Sequence, residues 1–500
     1  MILKPHIEDL QLISFYLGKV TIGLALAMAI PLVFAVILGE FSPAYDFLIS
    51  TELALLIGVL LTFNKSTLTT LSWMHGMIVV SLSWLLATLI GAIPLYLSGH
   101  WLSYLDACFD AMSGFATTGL TLVTDVDHLS YAHNLWRHLM MFIGGQGIVI
   151  IAVSLFVSGL SGAFTMYVGE GREEKIFPNV AHTGRFIWLV SLVFLCLGTF
   201  ALTVCGICEG MEPFRAFFHG LCIFMAAFDT GGFSPQSQNI LYYHSVAFEL
   251  ITVVIMIIGA MNFKLHYHLW TANVSEITKD IETRTFFFSV LITFFIVAMG
   301  LVNQGVFTKP ALLFRKGFYQ LISGHTGTGY QTVYAKEFVK QWGDLASIGV
   351  LAAMTLGGAI CSTTGAIKMA RLGIIWKALV QDIKRIIFPE RAIIVQKFHH
   401  VKEIFLEDKL VRSALMITMA YFLLYCLGAL IGMFYGYGFL ESLFESVSAA
   451  ANVGLSCGIT SPNMPVGLKL TYIIQMWAGR LEFMSVFTLV GFVYAAIRGK

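Results

Sequence analysis

Four times along the chain a short glycine-centred segment recurs in one register. The copies are Ala116-Thr117-Thr118-Gly119-Leu120-Thr121, Asp229-Thr230-Gly231-Gly232-Phe233-Ser234, Thr326-Gly327-Thr328-Gly329-Tyr330-Gln331 and Ala451-Asn452-Val453-Gly454-Leu455-Ser456. Six residues before the shared glycine stands Ser113, Ala226, Ser323 or Ser448, and five before it Gly114, Ala227, Gly324 or Ala449. Each copy follows about a dozen residues with the makings of a short helix and precedes a long apolar stretch. Irregular backbone survives at membrane depth only where it lines a cavity or is buried in protein. Four copies of one re-entrant loop therefore predict four pseudo-repeated helix–pore-loop–helix units around one central ion pore.

The membrane setting follows from composition. Hydrophobic residues make up 57% of the 500 and charged residues only 12%, a balance that a soluble chain of this length does not have. The pattern predicts an all-α polytopic membrane protein of about ten spans, at 11–39, 47–64, 71–98, 133–160, 185–209, 242–270, 284–305, 342–380, 410–436 and 466–497. The second is short and the eighth interrupted. The first is too long for a signal-peptide core and is expected to stay as a helix. The units divide as 1–70, two extra N-terminal helices; 71–160, 185–270 and 284–380, the first three pore units; 381–409, a linker; and 410–498, the fourth pore unit.

With ten spans both termini share a side, and most of the 30 Lys and Arg residues fall inward if that side is the cytoplasm. The net charge of +1 says nothing of partners. The charged, loop-like stretch 381–412 is large enough to dock a cytosolic protein, and reads equally as an ordinary positive-inside loop. The eight cysteines lie mostly within spans, where free thiols pack as small apolar groups. Cys205 and Cys208 form a lone C-x-x-C, read as two packing cysteines rather than a disulfide or redox pair.

A second anchor follows each loop, a Met-x-x-Gly at Met141–Gly144, Met256–Gly259, Met354–Gly357 and Met476–Gly479. It lies 25, 27, 28 and 25 residues beyond the shared glycine. Small-residue helix packing explains isolated glycines but not two anchors at matched offsets in four places. A short helix ending at mid-membrane aims its negative dipole end at the cavity, which favours cations. The loop after it turns carbonyls inward in place of a hydration shell, and glycine permits the backbone this needs. The predicted filter residues are Thr117, Thr118 and Gly119; Thr230, Gly231 and Gly232; Gly327, Thr328 and Gly329; and Asn452, Val453 and Gly454. Side chains of Thr117, Thr118, Ser234, Thr328 and Ser456 are expected to tie the loops back.

The eighth span has only about a dozen apolar residues, 345–356, before the small and hydroxylic stretch 357–365. A second half, 369–380, follows. An unwound stretch at that depth must face the pore. Arg480 is an arginine inside an apolar span and needs a partner, with the neighbouring Glu482 or a carbonyl as candidates. Lys368 is expected to snorkel to the aqueous face. Asp229 is a charge beside a loop, expected to point behind it.

With these residues in view the chain resembles the Trk/Ktr/HKT superfamily of potassium transporters, and within it the TrkH-type membrane subunit. Besides the four units, Asn262-Phe263-x-x-His266-Tyr267 is typical of that branch. Gly357-Gly358-x-x-Cys361-Ser362-Thr363-Thr364-Gly365-Ala366-Ile367-Lys368 resembles the family's GGxxGSTxGGIK loop, and Gly479-Arg480-Leu481-Glu482 its G-R-L-E. The likeness covers about 15–498. It implies potassium uptake across a bacterial cytoplasmic (inner) membrane, with both termini in the cytoplasm and K+ as the ion held by the filter. It makes Gly357, Gly358, Ser362, Thr363, Gly365, Lys368 and Arg480 a gate under the filter, with the Arg480 charge raising the barrier to cations. It also implies a homodimer in lipid and a TrkA-like cytosolic nucleotide-binding regulator. Cys361 and Ala366 replace the family's usual glycines, which predicts a stiffer loop. His325 and Gly327 stand where Thr or Ser is usual, and with Asp229 they keep open a Na+ or mixed Na+/K+ transporter of the same fold.

Other functions find no support in the sequence. No Walker A motif and no G-x-G-x-x-G after a strand occurs, so no nucleotide is expected in this chain. No nucleophile and base are paired at motif spacing, so no enzyme is expected, and nothing points to nucleic acid.

Overall fold

The computed structural model describes residues 6–63, 71–147, 180–389, 394–400 and 402–499, with 166 and 168. The far end of the expected fourth span, 148–160, lies outside them. The described residues are helices and loops apart from one antiparallel hairpin, β1 (Lys397–His400) and β2 (Lys402–Phe405). This is an all-α polytopic membrane protein.

Among the described residues, six helices are long and apolar enough to cross a bilayer: Ile7–Leu38, Phe41–Thr62, Trp73–Leu97, His182–Cys208, Ile281–Asn303 and Asp408–Phe434. Two further spans are bent pairs, Val246–Ala260 with Phe263–Trp270 at 104° and Val466–Arg480 with Met484–Arg498 at 113°. Each was expected as one span, 242–270 and 466–497. The first bend falls where Asn262 accepts from Lys264 N and so starts a new helix. The second falls where Glu482 and Phe483 take left-handed φ of 51° and 70°, which no helix continues through. The expected eighth span is two helices, Ala335–Leu356 and Met369–Ile387, separated by a loop. The stretch 381–409, expected to be loop-like, instead carries the end of the second of these helices and the hairpin.

The first two helices form an antiparallel pair turned at Gly39, whose φ is 74°. Gly18 and Gly58 let their backbones meet: a Cβ on Gly18 would stand 2.7 Å from the Gly58 carbonyl oxygen, the small-residue crossing typical of membrane helices. The large apolar side chains left exposed, such as Leu197, Phe287, Phe295 and Leu423, are those a bilayer would cover. Cys205 is buried, Cys208 exposed, and neither is bonded to the other.

Four short helices point into the middle of the bundle. α1 is Tyr104–Phe115, α2 is Pro213–Phe228, α3 is Tyr319–His325 (the last piece of a run that begins at Pro310–Leu312 and Leu313–Phe318), and α4 is Phe439–Ala450. Each is followed at once by one of the repeated loops.

Candidate functional site

All four short helices end in the same hydrogen-bonded motif. The amide of Thr118, Gly231, Thr328 or Val453 reaches back to the carbonyl of Ser113, Ala226, Ser323 or Ser448 at 2.8–2.9 Å. The amide one residue earlier bonds the next carbonyl along, of Gly114, Ala227, Gly324 or Ala449, at 3.0–3.3 Å. This is the Schellman ending of a helix, which needs a left-handed residue. Thr117, Thr230, Gly327 and Asn452 supply it, with φ of 52°, 51°, 70° and 55°. Two residues on, Gly119, Gly232, Gly329 and Gly454 have φ of 93°, 74°, 80° and 86°.

The four loops close into a ring. A Cβ on Gly119 would stand 2.2 Å from the Gly231 carbonyl oxygen, and one on Gly232 2.0 Å from that of Thr328. A Cβ on Gly329 would stand 2.0 Å from the Val453 oxygen, and one on Gly454 1.9 Å from that of Thr118. The contact passes from the first unit to the second, third, fourth and back to the first, always from the shared glycine to the residue before the next one. Any side chain there would collide with backbone, so glycine is fixed by packing as well as by φ. The twelve predicted filter residues thus lie together in one ring.

The side chains that tie the loops back are mostly not those expected. The Thr117 hydroxyl has no hydrogen-bond partner among the described residues, and that of Thr118 accepts from Asn452 Nδ2 at 3.1 Å. Ser113 accepts from Gly119 N at 3.0 Å and Ser323 donates to Tyr330 O at 2.7 Å, and in the first, third and fourth units the residue nine before the glycine adds further ties. Asp110 accepts from the Thr121 hydroxyl (2.5 Å) and Leu122 N (2.6 Å). Gln320 accepts from Thr332 N at 3.4 Å. Glu445 accepts from the Ser456 hydroxyl (2.5 Å), Cys457 N (3.0 Å) and the Thr460 hydroxyl (2.8 Å). The matched offset was present in the sequence, but Ile223 in the second unit breaks it; there the Ile223 carbonyl accepts from the Tyr330 hydroxyl instead. Asp229 and His325 both point behind the loops. Asp229 accepts from Gln146 Nε2 at 2.8 Å, and His325 pairs with the Ser289 hydroxyl at 2.8 Å.

Under the ring lies the loop 357–368. Its neck is pinned by Lys368 N to Leu356 O (2.9 Å) and Met369 N to Gly358 O (2.9 Å). Gly357, Cys361, Ala366 and Lys368 all have positive φ, of 72°, 56°, 65° and 76°. Cys361 and Ala366, the departures from the family pattern, therefore occupy left-handed positions at a cost of about 1–2 kcal/mol each. Ser362, Thr363 and Thr364 are buried. The Thr363 hydroxyl touches the Thr230 hydroxyl of the ring at 3.1 Å and donates towards the carbonyls of Phe228 and Gly259. A Cβ on Gly365 would stand 2.4 Å from the Ala451 carbonyl oxygen. The loop meets the undersides of the second and fourth ring segments.

Arg480 does not pair with Glu482. It ends the first half of the last span and holds carbonyls: Thr363 O at 2.5 Å, Gly144 O at 2.7 Å and Gly145 O at 3.4 Å. It thereby ties the loop to the inner helix of the first unit. Glu482 instead pairs with Lys368 (2.7 Å) and Arg371. Lys368 is therefore buried at 5% exposure and does not snorkel, because a buried carboxylate neutralises it where it starts. Arg371 and Glu282 had no signal of their own in the sequence. Glu282 Oε1 accepts from Ile360 N of the loop at 2.5 Å, and Asn262 Nδ2 donates to Glu282 Oε2 at 3.2 Å. Outside the membrane-spanning segments, His399 is held above its usual range chiefly by its hydrogen bond to Glu276.

A family model described as "TrkH: Cation transport protein" matches residues 45–493. The chain belongs to the TrkH family of cation transport proteins. Family members are membrane-embedded transporters. The chain is 31% identical to an uncharacterized cation transporter of Methanocaldococcus jannaschii, over 84% of this chain and 83% of that one. It is 29% identical to the Trk system potassium uptake protein TrkG of Escherichia coli, over 83% and 84%, and 27% identical to TrkH of Halomonas elongata, over 96% and 98%. The crystal structure of the potassium transporter TrkH from Vibrio parahaemolyticus matches the fold with a TM-score of 0.82 over 96% of this chain and 98% of that one, at 24% identity.

Proposed function

We propose that this TrkH-family chain is the pore subunit of a potassium uptake system. The closed ring of Gly119, Gly232, Gly329 and Gly454 carries the reading. Four helix C-termini and loop carbonyls aimed at one axis would replace a cation's hydration shell, and the closure of the four loops on one another supports that arrangement. The potassium-uptake titles of the TrkG and TrkH relatives support K+ as the ion. The loop 357–368, with Gly357, Gly358, Ser362, Thr363, Gly365 and Lys368, is the gate, and its contact with Thr230 supports this. Arg480 holds that loop and sets a positive charge beneath the ring. Transport needs no nucleotide in this chain, since one charge falling through ~150 mV gains about 3.5 kcal/mol. The subunit sits in the cytoplasmic membrane with both termini inside, as a homodimer in lipid, and a TrkA-like nucleotide-binding protein controls it from the cytosol.

The rival reading, Na+ or mixed Na+/K+ transport, drew on Asp229, His325 and Gly327. The side chains of Asp229 and His325 reach away from the ring, and Gly327 fills the same left-handed position as Thr117, Thr230 and Asn452, which supports K+. The test is rubidium uptake into proteoliposomes under an imposed inside-negative voltage. Voltage-driven uptake that K+ competes away and excess Na+ does not is the expected result. Equal competition by Na+ would support the rival.

A further inference from the structure

The hairpin β1–β2 belongs to the stretch between the third and fourth units, yet it reaches back to the start of the helix Ile281–Asn303. His399 Nε2 lies 2.7 Å from Glu276 Oε2, and His400 Nδ1 lies 2.7 Å from Asp280 Oδ1 and 4.0 Å from Glu282 Oε2. Asp280, Glu282 and His400 are 0%, 2% and 8% exposed. One oxygen or nitrogen from each comes within 4.8 Å of the others.

Each carboxylate is oriented from outside the group. Asp280 Oδ2 caps the helix by accepting from Glu282 N (2.9 Å) and Thr283 N (3.3 Å), which turns Oδ1 towards His400. Glu282 is steered by Asn262 and by the amide of Ile360. Two carboxylates and one imidazole buried together, with both carboxylates held by backbone amides or by Asn262, are the donor set and carboxylate support of a divalent transition-ion site. The imidazole disfavours Mg2+ and Ca2+, which take oxygen ligands.

We propose that Asp280, Glu282 and His400 bind one divalent transition ion of the Mn2+ or Zn2+ class. The ion fastens the hairpin to the loop 357–368, because Glu282 holds both. Binding stands on the geometry alone; the effect on flux rests on the gate reading given above. A hairpin clamped in this way resists any movement of the loop at Ile360, so the ion acts as a brake on opening.

The test uses the full chain in detergent, stripped with a chelator and titrated with Mn2+, Zn2+ and, as control, Mg2+. Metal retained after gel filtration is counted per chain. One Mn2+ or Zn2+ per chain is expected for the wild type, none beyond background for His400→Ala, and binding weaker by about tenfold or more for Asp280→Asn. The thermal midpoint rises with Mn2+ in the wild type and not in His400→Ala. His400→Gln, closer in size, serves as the second variant if His400→Ala does not elute as a single species. Equal retention in the wild type and either folded His400 variant, or no retention at all, overturns the site. Mn2+ that binds but leaves rubidium flux unchanged overturns the brake. Absence of any voltage-driven rubidium flux would instead count against the pore reading, whatever the metal result.

Discussion

Units one, two and four use the Met-x-x-Gly glycine differently from unit three. In the first, second and fourth, Gly144, Gly259 and Gly479 are still helical, one or two residues before the inner helix ends, and press against the end of the short helix. A Cβ there would stand 1.8–1.9 Å from the carbonyl oxygens of Phe115, Phe228 and Ala450. In the third unit Gly357 takes φ 72° and ends the helix, and its nearest neighbour is the Gly365 carbonyl within the loop that follows. One repeated residue is thus a helical packing contact three times and a left-handed helix end once. The ring above is nonetheless closed alike in all four units. The largest departure from the repeat lies in the loop 357–368, and the proposed division is that the ring selects while this loop on one side gates.

The largest effect should come from breaking the symmetric layer. Gly454→Ser puts a side chain 1.9 Å from the Thr118 oxygen at a left-handed φ, and neither can yield without opening the ring. Loss of K+ over Na+ discrimination, or of uptake altogether, is expected at normal membrane insertion, measured by rubidium uptake with Na+ competition. Gly119→Ser, Gly232→Ser and Gly329→Ser should behave alike if the four positions are equivalent.

A smaller effect follows from cutting the tie between the two layers. Arg480→Gln removes a charge and the bonds to Thr363 and Gly144. At an effective dielectric of ~20, a unit charge ~6 Å from a cation raises its energy by about 3 kcal/mol. Initial rubidium flux at matched protein level should therefore rise by up to about a hundredfold, less screening by water. Flux and Na+ discrimination both within about twofold of wild type would reduce Arg480 to a structural clasp.

The smallest effect separates the two left-handed positions of each loop. Gly327 has the same role as Thr117, Thr230 and Asn452, and a Cβ on it meets nothing nearer than 3.7 Å. Gly327→Asn should leave rubidium uptake and ion preference near wild type, because asparagine tolerates this backbone. A severe defect would mean that the third loop is not interchangeable with the others.

Much of this was legible in the sequence, because a repeat turns weak glycine signals into a register. The ring residues could be grouped from spacing, and the break at 357–365 from the short apolar run before it and its small, hydroxylic residues. The partners of the charges could not. Arg480 and Glu482 are neighbours in sequence, yet the left-handed turn at Glu482 and Phe483 sends one to the carbonyls of Thr363 and Gly144 and the other to Lys368 and Arg371. Pairings set by a bend between helices leave no periodic trace. The clasps of Asp110 and Glu445 stayed hidden because the second unit replaces the carboxylate with Ile223. The hairpin's reach to Asp280 joins residues 120 apart and has no local signature.

The central claim is that selection and gating reside in separate layers. Its most direct measurement is rubidium flux and its Na+ competition in a chain lacking residues 362–364, compared with wild type and Gly454→Ser in the same proteoliposomes. The deletion takes away the contacts of Thr363 with Thr230 and Arg480 while the neck bonds of Lys368 and Met369 remain available. The account predicts higher flux at unchanged K+ over Na+ preference for the deletion, and lost preference for Gly454→Ser. A folded deletion that gains no flux, or that loses preference as Gly454→Ser does, would contradict it.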